Sequence, residues 1–275
     1  MILVIGATGT QGGHVIDALL TEGREVAALT RDPTADAARA LAERGVTLRA
    51  GNLDDRESLT EAFEDIEAVF YPSLHPNERE RGGYILAALR DAGVPFLVAS
   101  TGGNCDDRPG VEHVDAKADV EEAIQETEQS AFVIRPHTFM SNFRMQEPAI
   151  YEGRLPYPLP GGRAVPLVDP ADIGRLAAHA FAAPERYAGE TVELAAGTYT
   201  IDELAEAFAT ALGRPVEPKS IPFETFAERM GAPEAFARFL EWQTSHDVDI
   251  KRLTREFEFQ PTTFRTYLDR EWTTA

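Results

Sequence analysis

Two side chains that can handle a proton, His113 and Lys117, lie four residues apart. On a helix this spacing places both on one face, one turn from each other. Histidine exchanges a proton near neutral pH because its free pKa is about 6.5, and a lysine ammonium beside it can hold a polar ligand. The pair could therefore carry out acid–base chemistry. A plainer interpretation, in which Lys117 only binds a ligand and His113 only fills space, stays open.

A second group of residues, at the start of the chain, is suited to binding phosphate. The apolar run 1–5 leads into glycines at G-x-x-G-x-x-G spacing, and the run 14–20 repeats apolar residues at helical spacing. Strand, glycine turn and helix in this order form the phosphate-binding corner of a dinucleotide fold. The sharp turn, the approach of a pyrophosphate and close helix packing each require a glycine. The residues expected at this corner are Gly6, Thr8, Gly9, Thr10, Gln11 and Gly12.

The residues that end the second strand bear on the choice between NAD and NADP. An acidic residue there suits the free 2′-hydroxyl of NAD, whereas an arginine suits the 2′-phosphate of NADP. Here Arg31 could bind that phosphate, with a hydroxyl donated by Thr30, so the sequence favours NADP, and NADPH in its reduced form. Asp32 leaves NAD possible, unless its role is to cap the turn at Pro33.

Two further segments are expected to contact the same cofactor. After the third strand, Asn52 lies where the adenine amino group could be bonded, and Leu53 follows it. After the fourth strand, Pro72 and Ser73 would line the pyrophosphate and the nicotinamide ribose. These segments complete the predicted dinucleotide site.

Strands and helices alternate through the first half, which predicts a doubly wound, mostly parallel α/β sheet. Proline and glycine then crowd 148–162, which indicates a loop over a site. We expect a Rossmann core at 1–147 and a smaller, mainly helical substrate region or cap at 148–275. A strand and a helix near 164–195 should return to the core. The predicted strands of the first half are 25–30, 46–50, 68–71, 96–99 and 132–135, and its later helices are 84–92 and 113–128.

The composition excludes several classes of protein. Asp and Glu total 46 against 26 Lys and Arg, a formal net charge of -20, so a phosphate backbone would be repelled and nucleic-acid binding is not expected. No apolar run has the ~20 residues of a membrane span, and strand 1 leaves no room for a signal peptide. The single cysteine, Cys105, excludes an internal disulfide framework. We therefore expect a cytoplasmic protein, and no clustered side chains predict a metal site.

The acidic excess is accompanied by only three lysines. An acid-rich, lysine-poor composition resembles that of proteins from extreme halophiles, in which molar salt screens the self-repulsion. The alternative is a merely acidic protein that gains solubility from its charge.

Five motifs follow one another along the chain: the glycine turn, Thr30-Arg31-Asp32-Pro33, Gly51-Asn52-Leu53-Asp54-Asp55, Arg135-Pro136-x-x-Phe139-Met140-x-Asn142-Phe143 and Val168-Asp169-x-x-Asp172-Ile173. In this order they resemble the NmrA-like family of atypical short-chain dehydrogenases/reductases. The resemblance covers 1–222.

The resemblance implies a reductase that uses NADPH on a small carbonyl, enone or quinone. The wider superfamily has a tyrosine four residues before its lysine; here that position is His113, so the tyrosine is absent. Lys117 would contact the nicotinamide ribose, Ser100 or Thr101 would polarise a carbonyl, and Pro136 would contact the cofactor. The alternative is a redox sensor that binds NADP(H) without turnover and acts through a regulatory protein partner. The residues expected near a flat apolar substrate are His137, Phe139, Met140 and Phe143, with His75 near the same pocket. The aromatic and methionine residues could equally belong to the core, and a packed loop position is the simpler interpretation of both histidines.

Overall fold

The first half of the chain alternates short apolar strands with helices, as the sequence predicted. The computed structural model describes residues 1–73, 77–159, 162–229, 231, 234–244 and 248–272. The elements of this half are β1 (Ile2–Val4), α1 (Thr10–Thr21), β2 (Val26–Thr30), α2 (Asp36–Glu43), β3 (Thr47–Ala50), α3 (Arg56–Ala62), β4 (Ala68–Pro72), α4 (Glu78–Ala92), β5 (Phe96–Ser100), α5 (Glu112–Glu126) and β6 (Ala131–Pro136).

The second half contains shorter strands among its helices. Its elements are β7 (Thr138–Phe139), α6 (Glu147–Tyr151), β8 (Arg154–Tyr157), β9 (Val165–Val168), α7 (Pro170–Ala182), α8 (Pro184–Tyr187), β10 (Thr191–Leu194), β11 (Gly197–Tyr199), α9 (Ile201–Leu212), β12 (Glu217–Ser220), α10 (Phe223–Arg229), α11 (Glu234–Gln243), α12 (Lys251–Phe257) and α13 (Phe264–Glu271).

A seven-stranded sheet carries the predicted site residues of the first half. Its strand order is β10-β6-β5-β4-β1-β2-β3, and Ile2 pairs in parallel with Val26 on one side and with Ala68 on the other. The order β3-β2-β1-β4-β5-β6 is that of a doubly wound fold, in which ligands bind beyond the carboxyl ends of the strands. The predicted fold class is confirmed.

The central strands are apolar throughout because helices cover both faces of a parallel sheet. Every residue of β1, β4 and β5 is buried. Helices α3, α4 and α5 contribute Leu59, Leu89 and Ile124 to the hydrophobic cluster that packs against these strands. This packing fixes the strand ends from which the site residues project.

The chain divides into two compact units. The first comprises 1–135 and 170–192, and the second comprises 136–169 and 193–275. The two units are defined by how the chain packs and do not test the predicted domain boundary between residues 147 and 148. That boundary stays a prediction. In the described part of the chain, no helix is long and apolar enough to cross a membrane.

Two predictions of local structure were wrong. The stretch 148–162, predicted as a loop, contains most of α6 and all of β8, and β8 pairs with β12, about sixty residues further on. Helix α4 begins at Glu78, one and a half turns before the predicted start at Tyr84. Gly82 and Gly83 lower helix propensity in its first half, which hid that part of the helix from a reading of the sequence.

Candidate functional site

The glycine turn after β1 has the shape that the sequence predicted. Gly6 adopts a positive φ of 65°, which suits glycine, and its carbonyl accepts a hydrogen bond from the Gly9 amide at 2.9 Å. A Cβ at Gly12 would clash with the Gly6 carbonyl, so helix α1 packs at a distance that only glycine allows. Thr10 and Gln11 form the first turn of α1, where amide groups and the helix dipole favour an anion.

A cleft of about 380 Å³ opens beside this turn in the first unit. Strand ends β1, β2 and β3 supply most of its wall, and Arg81 of α4 completes it. The predicted cofactor residues that line it are Gly6, Thr8, Thr30, Arg31, Asn52 and Leu53. The cleft therefore brings together predicted contacts from three separate segments of the chain.

Arg31 and Asp32 differ in what holds them. The Asp32 carboxylate accepts hydrogen bonds from the Thr34 amide at 2.8 Å and the Thr34 hydroxyl at 2.6 Å, and these bonds lower the pKa of Asp32. The Thr30 hydroxyl bonds the Asp32 backbone. Arg31 is exposed in the cleft and makes no hydrogen bond or ion pair with any residue that the structure describes. Asp32 thus caps a turn, while Arg31 has its donors available.

Asn52 is built into the turn that follows β3. Its Oδ1 accepts from the backbone amide of Asp54 at 3.2 Å, and the backbone amide of Asn52 donates to Ser58 Oγ at 3.0 Å. Asp55 then caps α3 by accepting from the amides of Glu57 and Ser58. These bonds hold the Asn52 side chain at the wall of the cleft.

A second group in the first unit consists of Ser73 and Ser100, which lie at the carboxyl ends of β4 and β5, and Lys117 of α5. Lys117 Nζ donates to the Ser73 carbonyl at 3.2 Å, and the Ser73 amide donates to the Ser100 carbonyl at 2.7 Å. Burial lowers the pKa of Lys117, and the charge of Glu78 is the largest influence opposing that shift. The hydroxyls of Ser73 and Ser100 are buried without a hydrogen-bond partner among the described residues. His113, partly buried, lies one turn before Lys117 on α5.

Thr101 belongs to a buried polar network instead. Its hydroxyl donates to Glu121 Oε1 at 2.6 Å, and Arg135 holds the same carboxylate through Nε at 3.0 Å and Nη2 at 2.5 Å. Cys105 Sγ lies 3.1 Å from Glu121 Oε1; burial and this carboxylate raise the pKa of the thiol to about 12. The sequence reasoning missed Glu121, although it follows His113 and Lys117 at the same four-residue spacing.

The predicted substrate residues lie in the second unit, with Pro136 at its start. His137 is buried, with Nε2 2.9 Å from Glu193 Oε2. Met140 and Phe143 are buried in a hydrophobic cluster, where the Phe143 ring centroid lies 5.3 Å from that of Tyr157. Phe139 is partly buried on β7. A role of these side chains toward a substrate stays a prediction. His75 lies outside the described residues.

Comparison with known proteins adds a family and a set of named relatives. A model of the NmrA-like family matches residues 1–268. The NAD(P)H azoreductase of Xenophilus azovorans is 33% identical over 247 residues, covering 86% of this chain and 84% of that protein. Quinone oxidoreductase 2 of Escherichia coli is 25% identical over 252 residues, covering 87% of this chain and 85% of that protein.

A solved structure is similar across nearly the whole chain. The triphenylmethane reductase of Citrobacter sp., complexed with NADP(H), superposes with a TM-score of 0.83 at 23% identity. The match covers 98% of this chain and 99% of that one. This likeness extends the shared fold through both halves of the chain.

Proposed function

The chain belongs to the NmrA-like family, and on this premise we propose that it is an NADPH-dependent reductase of a small carbonyl, enone or quinone. The named relatives support the reaction class, since they include an NAD(P)H azoreductase and a quinone oxidoreductase. Azo and triphenylmethane dyes enter the set of candidate substrates for the same reason.

The observation that carries the cofactor assignment is the cleft beside the glycine turn. A bare backbone at Gly9 and the first turn of α1 suit a pyrophosphate at one end. Arg31 has its guanidinium available at the wall of the cleft and suits a 2′-phosphate. A dinucleotide with a phosphorylated ribose fits both features, whereas the acidic residue that would favour NAD, Asp32, is engaged in its own turn.

Each group of residues then has a defined part in binding. Gly6, Thr8, Gly9, Thr10, Gln11 and Gly12 would hold the pyrophosphate, Asn52 and Leu53 the adenosine, and Thr30 and Arg31 the 2′-phosphate. Pro72, Ser73 and Lys117 would hold the nicotinamide ribose and its neighbourhood. A contact of Pro136 with the cofactor stays a prediction from the family resemblance. When bound, the reduced nicotinamide would supply a hydride to the substrate.

For a carbonyl, enone or quinone, the protein's own task in the reaction is to stabilise the negative charge that forms on the substrate oxygen and to supply a proton. Ser100 Oγ is a hydroxyl without a partner among the described residues, so we assign it, rather than Thr101, to that oxygen. Lys117 Nζ is held by the Ser73 carbonyl and contributes positive charge. His113, one turn away, is the side chain suited to deliver the proton near neutral pH.

Binding and turnover are tested separately. We expect NADPH to bind more tightly than NADH by titration, and NADPH to be consumed, as followed by its absorbance, with at least one member of a panel of quinones, enones and azo dyes in molar KCl. Tight binding with no consumption across the panel would contradict the reductase and support the alternative, a redox sensor that acts through a protein partner.

The cofactor preference is predicted to depend on Arg31. Arg31→Ala should remove a charge-assisted contact worth about 1.5–3 kcal/mol, which lowers the preference for NADPH over NADH by roughly 10-fold to 150-fold. Arg44→Ala is the matched control, because Arg44 is exposed and bonds Asp17 at 2.5 Å outside the cleft. Equal affinities for the two nucleotides in the unmutated protein would contradict the Arg31 assignment and favour Asp32 as an NAD ligand.

A further inference from the structure

An acidic side chain, Asp54, lies beside the cleft that holds Arg31. It follows Asn52, a wall residue, and its side chain is about half exposed at 51%. Arg81 of α4 forms a bidentate ion pair with the Asp54 carboxylate. In this pair Nε donates to Oδ1 at 2.7 Å and Nη2 donates to Oδ2 at 2.9 Å. Arg81 itself lines the cleft and is only 20% exposed.

The negative charge of the Asp54 carboxylate would oppose binding of a phosphorylated ribose if no cation held it. Arg31 and Arg81 line the same cleft, and Asp54 directly follows another wall residue, Leu53. The hydrogen bond from Arg81 is the largest cause of the lowered pKa of Asp54, and the charge of Arg31 lowers it further. A carboxylate not held by another cation would attract the Arg31 guanidinium. It would also repel a phosphate group that brings about two negative charges. Either effect would weaken binding of NADPH and leave binding of NADH nearly unchanged.

We propose that Arg81 is a positioning residue for cofactor selectivity. By holding Asp54 in a bidentate ion pair, Arg81 keeps that carboxylate away from Arg31 and leaves the Arg31 guanidinium for the 2′-phosphate. The proposal rests on the proposed function, which assigns NADPH to this cleft. Arg81 acts through Asp54, so its effect disappears once Asp54 has no charge. A direct contact between Arg81 and the phosphate would not depend on Asp54.

A double-mutant cycle distinguishes the two roles. The dissociation constants of NADPH and NADH are measured by titration for the unmutated protein, Arg81→Leu, Asp54→Asn and the double variant. We expect Arg81→Leu to lower the preference for NADPH by about threefold to tenfold, as for charges interacting near a protein surface. Asp54→Asn should keep or slightly raise the preference, and the double variant should match Asp54→Asn.

Ionic strength supplies a readout that a merely structural role would not move. The loss of preference in Arg81→Leu should shrink between 0.3 M and 2 M KCl, because the Debye length falls to a few ångströms. Arg81→Lys keeps the positive charge but loses the bidentate hydrogen bonds. The preference of this variant for NADPH over NADH should therefore lie between those of Arg81→Leu and the unmutated protein. This variant also serves if Arg81→Leu does not fold.

Arg56→Leu is the matched control, because it breaks an arginine–aspartate pair with Asp91 outside the cleft and should leave the preference unchanged. The proposal is overturned if Arg81→Leu weakens both nucleotides equally, or if the double variant stays as poor as Arg81→Leu. An unmutated protein with equal affinity for both nucleotides would instead overturn the assignment of Arg31, and this proposal with it.

Discussion

Lys117 is the residue whose surroundings say most about its role. Its side chain is partly buried, which disfavours the charged form, yet Glu78, Cys105 and Glu121 each act in the opposite direction on its pKa. The first of these carboxylates is buried and accepts a hydrogen bond from the Tyr71 hydroxyl. Burial and the acidic neighbours thus act in opposite directions on the pKa of Lys117, and burial is the larger influence. A protonated Lys117 in this position can both hold a ribose and stabilise charge on a substrate.

Substitutions on α5 should separate binding from proton transfer. Lys117→Ala is expected to weaken NADPH binding by roughly tenfold or more, the value of a lost hydrogen bond from a charged group. His113→Phe should leave NADPH affinity nearly unchanged and lower turnover by about a hundredfold, as for loss of a general acid. Titration and steady-state rates on the same preparations measure both. If His113→Phe turns over at the original rate, the histidine only fills space and the proton comes from elsewhere.

Predictability at the residue scale depends on how local the determining contact is. The positive φ at Gly6, the close helix packing at Gly12 and the position of Arg31 beside the glycine turn were predictable from sequence, because the turn and the strand end concerned are each contiguous in sequence. The choice between Ser100 and Thr101 could not be made, because it depends on Glu121, twenty residues beyond Thr101 and on another element. The same holds for Arg81, which reaches Asp54 from α4.

At the scale of elements, strands built from apolar runs were predictable, and strands of more polar composition were not. β1, β4 and β5 are mainly apolar, and every residue of each is buried. By contrast β8 and β12 contain prolines and polar residues, and every residue of β12 is exposed. Their pairing, and not their own composition, makes them strands. Sequence periodicity carries no information on such a pairing.

Two glycines test how helix packing constrains the first unit. A Cβ at Gly174 of α7 would clash with the His14 carbonyl of α1, whereas a Cβ at Gly83 of α4 would meet open space. Gly174→Ala should therefore lower the free energy of unfolding by about 1–3 kcal/mol, the cost of overpacking. Gly83→Ala should raise it by about 0.5–1 kcal/mol through helix propensity and a less flexible unfolded chain. Denaturant unfolding at one fixed KCl concentration measures both, and equal effects of the two substitutions would contradict this description of the α1–α7 contact.

At the scale of the whole molecule, arginine supplies nearly all of the positive charge that opposes the acidic residues. Only Lys117, Lys219 and Lys251 are lysines among 26 basic residues, and many arginines hold exposed carboxylates, as Arg108 does with Glu122 and Arg44 with Asp17. Such surface pairs are each worth about 0–1 kcal/mol. Even complete pairing of the basic residues leaves an excess of 20 acidic groups, from the formal net charge of -20. The folded surface must repel itself unless counterions screen it.

That excess predicts a folded state that depends on salt. At 0.1 M salt the Debye length is about 10 Å, so many acidic groups repel one another, whereas at 1 M it is about 3 Å and most of that repulsion is removed. Screening also weakens the arginine–carboxylate pairs, but the net charge of -20 makes repulsion the larger sum. We therefore expect Tm to rise steeply between about 0.1 M and 1 M KCl and to level off by 2 M. A Tm that continues to rise linearly to 2 M would indicate exclusion of salt from the surface instead of screening.

NADPH should add a further increment to Tm at every salt concentration, because it binds only the folded state. A flat salt profile would show that the acidic groups are already compensated within the fold, and the prediction of adaptation to molar salt would then be wrong.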